Sequence, residues 1–510
     1  MTNDRDPASP RAPSSREAFR RVFPGVMVAM FLAAADQTIL ASALPTIASA
    51  LGVVADLSWV VVAYLLAATV AAPLYGYIGD RFGRRRALLG ALTVFTLASC
   101  ACAVAPSFWW LVGLRALQGL GGGGLMTLSQ ALIGEHVEPR ERGRYAGYFA
   151  VLFALSSTSG PVIGAYLTEH ISWRAVFLIN LPLGLVAGVL SLRVPHVAPP
   201  RREGPFRPDL LGALLFCMAT ASFLFALSSG GHRFPWLSAP MAALVATTAA
   251  SLVALWWWER RHHDPIIPIH FLKVPAIARA DAVVLCFGAS LFAVIVFLPL
   301  YLQLGRGLGI GASGLLLLPI TLSQVTSAAI TGRLVTRTGN VTIFPKIGLS
   351  LVALAFVSLA LAVERAPTSA ILALTVLVGL GLGMVMPPTQ VAVQTAAGRG
   401  QLGVATASIS LCRAVGGAIG VALIGAVLFA LIERAGEAAG SLLHQSIEGG
   451  AAFIAKMSQA QRDSLVGLVN EAYRVAFGVL AGIAAIGVLI ATTVPRMEWR
   501  EGGVDGSEAD

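Results

Sequence analysis

Charged residues are scarce in this chain of 510 residues, since only 12% are Asp, Glu, Lys or Arg. A soluble domain normally carries about a quarter of such residues, so a soluble enzyme and a soluble nucleic-acid-binding protein are excluded. Cysteine is scarce too: the five cysteines lie in apolar stretches, with no C-x-x-C pair among them. They are predicted to be small buried hydrophobic residues, which excludes a disulfide scaffold.

The sequence motifs of enzymes are also missing. The sequence shows no metal-ligand cluster, no nucleophile constellation and no phosphate-binding loop. The run G-L-G-G-G-G from Gly119 has the spacing of a dinucleotide fingerprint, but it lacks the preceding strand that such a site needs. We therefore expect neither enzymatic activity nor a bound cofactor.

Apolar residues are abundant, at 56% of the chain. A membrane-spanning helix needs about 20 mostly apolar residues, so there is room for roughly fourteen crossings. The predicted fold class is an all-α integral membrane protein with 14 transmembrane helices. The apolar runs form a first six (residues 24–51, 59–78, 88–105, 109–133, 145–167 and 175–192), a middle pair (210–228 and 238–258) and a last six (277–302, 313–334, 344–363, 370–391, 403–431 and 473–494).

The net charge of +10 reflects where the basic residues lie relative to the membrane. With the first residue placed in the cytoplasm, 26 Lys and Arg fall on the cytoplasmic side, eight fall outside, and Arg115 and Arg413 fall within helices. Short cytoplasmic loops carry the excess of basic residues in membrane proteins. This split predicts cytoplasmic termini in a bacterial inner membrane and argues against a nucleic-acid partner.

An internal repeat divides the runs. The loop after the second run begins at Gly76, the loop after the tenth begins at Gly332, and matching residues keep a constant offset of 256. Parallel repeats of this kind occur in secondary transporters, with the substrate site between the halves. The predicted domains are a disordered basic tail (1–21), an N-terminal six-helix bundle (22–194), a connector with two extra helices (195–260), a C-terminal six-helix bundle (261–495, with an external loop at 432–472) and a second tail (496–510).

Asp36 lies midway along the first run. A carboxylate there costs about 2.5–3.5 kcal/mol on insertion scales, so it normally faces a cavity and has a function. Burial disfavours its charge and a nearby cation favours it, so Asp36 can hold a proton in one conformation and release it in another. Arg115 in the fourth run is its natural partner. The alternatives are a permanently paired, structural Asp36 and an Arg115 that binds only backbone carbonyls.

Several motifs together resemble the major facilitator superfamily, and within it the fourteen-helix drug:proton antiporters of the EmrB/QacA type. The first run carries D-x-T-I and A-L-P from Asp36, and the fourth carries R-x-x-x-G from Arg115. The loop from Gly76 matches the superfamily's loop signature, and the segment from Trp173 is typical of the fourteen-helix branch. The resemblance covers about residues 24–493. It implies two six-helix bundles with two inserted central helices, and a role for Arg115 in proton transfer.

The loop signature implies a gate on the cytoplasmic side. Charge pairs between its acid and its arginines are expected to hold the two halves together, and a glycine permits the tight turn. The alternative is a turn whose positive charge only sets topology. The second copy has Thr336 in place of the acid, so its gate is expected to be weaker. The predicted gating residues are Gly76, Asp80, Arg81, Gly83, Arg84 and Arg85.

The fifth run contains Gly160, Pro161 and Gly164, which resemble the core of the antiporter motif of exporters. Proline removes one backbone hydrogen bond and glycine permits close packing. This helix is therefore expected to kink against its neighbours.

Asp281 is a possible second carboxylate, early in the ninth run. Because Arg279 is adjacent in sequence, we expect a salt bridge between them at the membrane interface. If Asp281 instead faces the cavity, it is a second proton or cation site.

The predicted function is proton-coupled multidrug efflux by alternating access, with the substrate class resting on the resemblance. The alternative is a dedicated exporter of a single natural product, lipid or other amphipathic metabolite. The Gly160 motif favours export over import, and a channel is disfavoured because no filter-like segment interrupts the parallel halves. The expected partners are amphipathic small molecules, protons and membrane lipids, and the proton gradient supplies the energy without a cofactor.

Overall fold

The computed structural model describes residues 15–51, 59–195, 209–230, 234–235, 237–261, 273–308, 315–364, 366–434 and 457–495. Within these ranges the chain forms sixteen α-helices, one short 3₁₀ turn and one isolated bridge between Gly230 and Phe234. The first seven helices are α1 (Ser15–Leu51), α2 (Trp59–Phe82), α3 (Arg84–Ala103), α4 (Phe108–His136), α5 (Pro139–His170), α6 (Ala175–Leu178) and α7 (Asn180–Ser191). The others are α8 (Leu210–Ser229), α9 (Ala239–Glu259), α10 (Pro275–Leu304), α11 (Leu318–Thr338), α12 (Ile343–Ala362), α13 (Thr368–Gly383), α14 (Met386–Ala397), α15 (Leu402–Arg434) and α16 (Gln459–Thr493).

The helices follow the predicted apolar runs, but they differ in how apolar they are. Nine helices of the described residues are long and apolar enough to cross a membrane, and two shorter apolar helices cover Ala175–Ser191 and Leu211–Leu227. The helices α4, α5 and α11 carry glycines, hydroxyl groups or charges along their length. The all-helical fold is thus as predicted, and the count of fourteen crossings stays a prediction.

Two of the predicted runs are broken into pairs of helices. The sixth run is interrupted at Ile179, between α6 and α7, and the twelfth is interrupted at Met384 and Val385. The second break precedes Pro387, which lies in the first turn of α14, where a missing backbone N–H leaves no helical bond unmade. Both breaks allow a helix to change direction within the membrane.

The helices extend beyond two of the predicted boundaries. Helix α1 begins at Ser15, so the end of the predicted tail is helical, because its last residues include good helix formers and no proline before Pro24. Residues 1–14 lie outside the described residues. The predicted external loop is also partly helical: α15 runs to Arg434 and α16 begins after Ser458, which caps it together with Gln461. Residues 435–456, the centre of that loop, lie outside the described part.

The two halves are packed in the same way, in agreement with the repeat. In the N-terminal half α1 packs against α5 and α2 against α4; in the C-terminal half α10 packs against α15 and α11 against α13. Each half has its own hydrophobic core. The halves meet where α5 contacts α11 and where α2 contacts α15, and the inserted helix α8 contacts both α2 and α15.

Candidate functional site

Asp36 and Arg115 form a buried ion pair in the N-terminal half. Arg115 Nη1 lies 2.6 Å from Asp36 Oδ2, and the two side chains are only 1% and 2% exposed. Arg115 Nε also donates to the carbonyl of Val60, at 3.2 Å, and its guanidinium lies 4.4 Å from the ring centre of Tyr64. The pair thus joins α1, α2 and α4, and it is the partnership that the sequence predicted.

Neutral polar side chains complete the surroundings of Asp36. Gln118 Nε2 and Asn180 Nδ2 both donate to Asp36 Oδ1, at 2.9 Å and 2.7 Å. Ser99 Oγ accepts from the same two amides and donates to the carbonyl of Phe177. Three donors therefore satisfy the oxygens of this buried carboxylate.

Ser99 was not predicted as a site residue. It is one of three hydroxyl residues in α3, after Thr93 and Thr96, a pattern that is common in membrane helices and rarely points to a site. Asn180 lies in the segment from Trp173 and had no predicted role, and the structure places it directly after the break between α6 and α7. The break brings its amide to Asp36, which the periodicity of a continuous helix does not reveal.

This arrangement has two chemical states. While Asp36 is ionised, the pair neutralises Arg115 and closes the polar network. A proton on Asp36 removes the negative charge and leaves the guanidinium uncompensated in a low-dielectric site, which is costly. The ion pair and the amide hydrogen bonds thus form one connected, buried polar network. In the described residues no group of three His, Cys, Asp or Glu is placed to hold a metal ion.

Asp80 and Arg84 form a second buried pair, at the end of the molecule where α2 passes into α3. Arg84 donates to Asp80 Oδ1 from Nε at 3.0 Å and from Nη2 at 2.5 Å, and its Nη1 donates to Glu135 at 2.6 Å. Gly83 connects the two helices with a φ of 97°, a conformation that favours glycine. The turn and the pairing within it are as predicted.

Asp80 also connects the two halves. Its Oδ1 accepts from the backbone N–H of Gly403 at 2.9 Å, and its Oδ2 accepts from that of Val404 at 3.1 Å. These N–H groups begin α15, and a helix N-terminus favours a carboxylate. Gly76 lies against the same place, since a Cβ at Gly76 would lie 2.6 Å from the carbonyl oxygen of Gly403. Gly403 was not predicted, because its role depends on a contact between distant segments.

The predicted charge pairs across the halves are wrong in their details. The Asp80–Arg84 ion pair lies within one half, and the link to the other half is made by backbone N–H groups instead. Arg85 donates to the carbonyl of Leu192, at 2.5 Å, at the end of α7. Arg81 lies at the end of α2 with its side chain partly exposed. The Asp80 carboxylate thus binds Arg84 within its own half and the start of α15 in the other half.

We expect Asp80→Ala to slow transport roughly tenfold, because it removes two charge-assisted hydrogen bonds that exist only while the halves touch at this end. Initial rates of substrate uptake in reconstituted vesicles measure the change. Asp209→Ala is the matched control, because Asp209 accepts from Gly212 N–H at the start of α8 and from Trp258 Nε1 of α9, both in the inserted helix pair. Equal rates for wild type and Asp80→Ala would contradict a gating role.

The second copy of the loop differs as its sequence predicts. Gly339 ends α11 in the left-handed conformation, with a φ of 70°. Thr336, which replaces the acid, donates its hydroxyl to the carbonyl of Gly332 in its own helix. The turn is thus repeated, whereas the cap that Asp80 provides to α15 is not reproduced by this hydroxyl bond. The weaker second gate stays a prediction.

Gly160 and Gly164 lie where α5 crosses α1. A Cβ at Gly160 would lie 2.8 Å from Cβ of Thr38, and one at Gly164 would lie 3.0 Å from the carbonyl carbon of Ile39. Thr38 Oγ1 donates to the carbonyl of Ser156 across this contact, at 2.9 Å. The glycines therefore hold α5 against the helix that carries the Asp36 carboxylate. Pro161 lies within α5, and its side chain lies outside the described part of the chain.

We expect Gly164→Val to destabilise the protein by about 1–3 kcal/mol, because the added side chain forces α5 away from α1. Thermal unfolding of the purified protein in detergent measures the loss as a lower melting temperature. Gly188→Val is the control, since a Cβ at Gly188 meets no other atom within 4 Å. Similar melting temperatures for the two variants would contradict the close contact.

Asp281 does not form the predicted salt bridge with Arg279. Asp281 is buried and its Oδ1 accepts from Ser408 Oγ at 3.3 Å, whereas Arg279 donates to the carbonyl of Thr493. Residues two apart on a helix point to different sides, so the two side chains diverge. Asp281 instead faces α15, and its role as a second proton or cation site stays a hypothesis.

These features define a class of protein. Two repeated helical halves, a buried ion pair in one of them and a contact that joins them at one end are the architecture of a secondary transporter. The chain belongs to the Major Facilitator Superfamily, whose family model matches residues 26–421. Its fold and family are those of multi-pass membrane transporters and not those of an enzyme, as the sequence predicted.

Relatives of known name agree with this assignment. An uncharacterized MFS-type transporter of Mycobacterium tuberculosis is 34% identical over 81% of this chain and 60% of its own length, so the match spans less than two thirds of that relative. The multidrug transporter protein MdtP of Bacillus subtilis is 31% identical over 79% of this chain and 74% of its own length. The efflux pump dotC of Dothistroma septosporum is 30% identical over 93% of this chain and 83% of its own length.

Solved structures show the same fold. The human organic anion transporter MFSD10 superposes with a TM-score of 0.63 at 16% identity, covering 94% of this chain and all of that one. The proton:xylose symporter XylE has a TM-score of 0.62 at 13% identity, covering 94% and 97% of the two chains. At these identities the similarity establishes the fold alone.

Proposed function

We propose that this protein is a proton-coupled multidrug efflux transporter, a drug:H⁺ antiporter of the fourteen-helix EmrB/QacA type. The observation that carries the proposal is the Asp36–Arg115 pair, a carboxylate and a guanidinium buried together in the membrane-spanning region. Intramembrane charges are costly, and they commonly mark proton relays and substrate pathways. Relatives that are named as a multidrug transporter and as efflux pumps support the direction of transport.

The contact between Asp80 and the start of α15 supports the assignment of this structure to one state of the transport cycle. The loop that holds Asp80 is rich in arginine, so the positive-inside rule puts it in the cytoplasm of a bacterial cell, with both termini on the same side. The halves touch at this loop, which supports assigning this conformation to the state that is closed towards the cytoplasm. In the proposed cycle a proton from outside neutralises Asp36, and its later release to the cytoplasm restores the pair.

The energetics of this cycle are adequate. One elementary charge that crosses a potential of 100 mV supplies about 2.3 kcal/mol, before any contribution from a pH difference. That is enough to shift a two-state equilibrium by more than tenfold. The cycle needs no cofactor, and its substrates are amphipathic small molecules that enter from the cytoplasm or the inner leaflet.

Transport in reconstituted vesicles under an imposed proton gradient tests the proposal. We expect the wild-type protein to move amphipathic dyes against the direction of proton flow, and collapse of the gradient by a protonophore to stop the movement. Transport that is unchanged by the protonophore would overturn proton coupling. Movement of one compound alone from a panel of cationic, neutral and anionic dyes would favour a dedicated exporter.

A further inference from the structure

Arg413 is a second arginine within the membrane-spanning region. It lies in α15, inside the apolar span Leu402–Leu428. Its side chain is partly accessible, and charged side chains inside a membrane span almost always face the bundle interior or a water-filled cavity. Arg115, by contrast, is almost completely enclosed.

Arg413 differs from the buried arginines of the protein in its partners. Arg115 and Arg84 each bind a carboxylate, and Arg142 binds the carbonyls of Gly134 and Val137. Among the residues that the structure describes, Arg413 has neither a hydrogen-bond acceptor nor an ion-pair partner. A guanidinium at this depth needs an acceptor or water, because its charge is unfavourable in an apolar environment.

Three buried acids of the two halves are engaged elsewhere. Asp36 is paired with Arg115, Asp80 with Arg84, and Asp281 accepts the hydroxyl of Ser408. The first two pairs are neutral as units, and none of the three contacts compensates the charge of Arg413. Arg413 therefore places an uncompensated positive charge within the span of α15.

The surroundings of Arg413 are small and apolar. Its backbone carbonyl packs directly against Gly288 of α10, which brings the two helices into close contact. One turn further along α15, Gly417 lies against the ring of Phe292, since a Cβ at Gly417 would lie 2.6 Å from the Cδ2 atom of that ring. Phe292, which is itself partly exposed, therefore packs on α15 one helical turn from the Arg413 backbone.

We propose that Arg413 binds the acidic group of the transported substrate, and that the preferred substrates are amphipathic organic anions. The planar fork of a guanidinium pairs with carboxylates, sulfonates and phosphates through two parallel hydrogen bonds. The apolar body of the same molecule packs on Phe292. This inference rests on the proposed function, because it names the substrate class of that transporter.

Binding of three dansyl compounds to the purified protein in lipid nanodiscs tests the inference. Dansylglycine is an anion, dansylamide is neutral and dansylcadaverine is a cation, so the set varies charge on one aromatic body. We expect the wild-type protein to bind dansylglycine most tightly. Arg413→Gln should weaken that binding roughly tenfold or more, with changes of less than about twofold for the other two compounds.

Two further variants test whether the loss of binding depends on the guanidinium of Arg413. Arg413→Lys keeps the charge but loses the planar fork, and it should retain part of the preference for dansylglycine. Arg279→Gln is the matched control, because it removes an arginine of the same half whose side chain donates to Thr493 at the end of α16. It should leave all three affinities unchanged. Melting temperatures identify any variant that has lost its fold.

Three outcomes would overturn the inference: equal losses for all three compounds in folded Arg413→Gln, no loss for dansylglycine, or a wild-type protein that does not prefer dansylglycine over dansylamide. Binding needs no proton gradient. A failure of proton coupling in vesicles would therefore leave these affinities in place, whereas anion binding that persists in Arg413→Gln would overturn the substrate class alone.

Discussion

Asp36→Asn is expected to abolish transport that depends on a proton gradient, with a fall of roughly 100-fold or more, as when a proton-transfer group is lost. Asparagine has nearly the shape of the aspartate and can occupy the same place among Arg115, Gln118 and Asn180. It cannot take up or release a proton. The variant is therefore held in one of the two charge states of the switch.

The same substitution also affects stability, because it leaves Arg115 buried without a counter-charge. Removing one partner of a buried pair costs about 3–5 kcal/mol. Loss of transport in the single variant therefore has two explanations, and a second variant separates them. Asp36→Asn combined with Arg115→Gln removes both charges, and it should recover most of the lost stability.

The double variant decides whether the pair has a coupling role or only a structural one. We expect it to fold, to melt near the wild-type temperature and still to show no gradient-dependent transport. Glu364→Gln is the matched control, since Glu364 pairs with Arg474 at 3.3 Å on the surface and should have little effect. Gradient-driven transport by the folded double variant would show that the buried pair is structural.

The sequence was sufficient to predict the Asp36–Arg115 pair because buried charges in a membrane are rare and must find one another. It did not predict Ser99, which differs from many hydroxyl residues of membrane helices only in its position. Asn180 was visible in a motif, but its contact with Asp36 depends on the break between α6 and α7. Local composition identifies buried charges well. It identifies poorly the helix breaks that direct neutral side chains towards a site.

The inner contact illustrates a second limit. The Gly76–Asp80 motif predicted a gate, and the structure confirms that the halves meet there. The partner of Asp80 is the backbone at the start of α15, more than 300 residues further along the chain. A backbone N–H has no sequence signature, so only the folded arrangement identifies Gly403 as part of the site. The predicted salt bridge between Asp281 and Arg279 was wrong. The two residues are close in sequence, but residues two apart on a helix point to different sides.

Gly76→Val is expected to prevent closure at the inner contact and to reduce transport at least tenfold. A Cβ at this position would lie 2.6 Å from the carbonyl oxygen of Gly403 and 2.8 Å from its carbonyl carbon. Ordinary contacts between such atoms are about 3.5–4.0 Å, so α2 and α15 must separate by about 1 Å or more. Overpacking of this kind costs about 1–3 kcal/mol, and the cost falls only on the closed state.

A cost confined to one state shifts the equilibrium between two conformations, since each 1.4 kcal/mol is a factor of about ten. Double electron–electron resonance between spin labels at positions 86 and 337 measures the shift, because these exposed positions lie in different halves at this end. We expect longer distances in Gly76→Val. Gly90→Val on α3 is the control, since its Cβ would meet no atom within 4 Å. An unchanged distance distribution in Gly76→Val would mean that the inner contact does not limit closure, and Asp80 would then act as a helix cap alone.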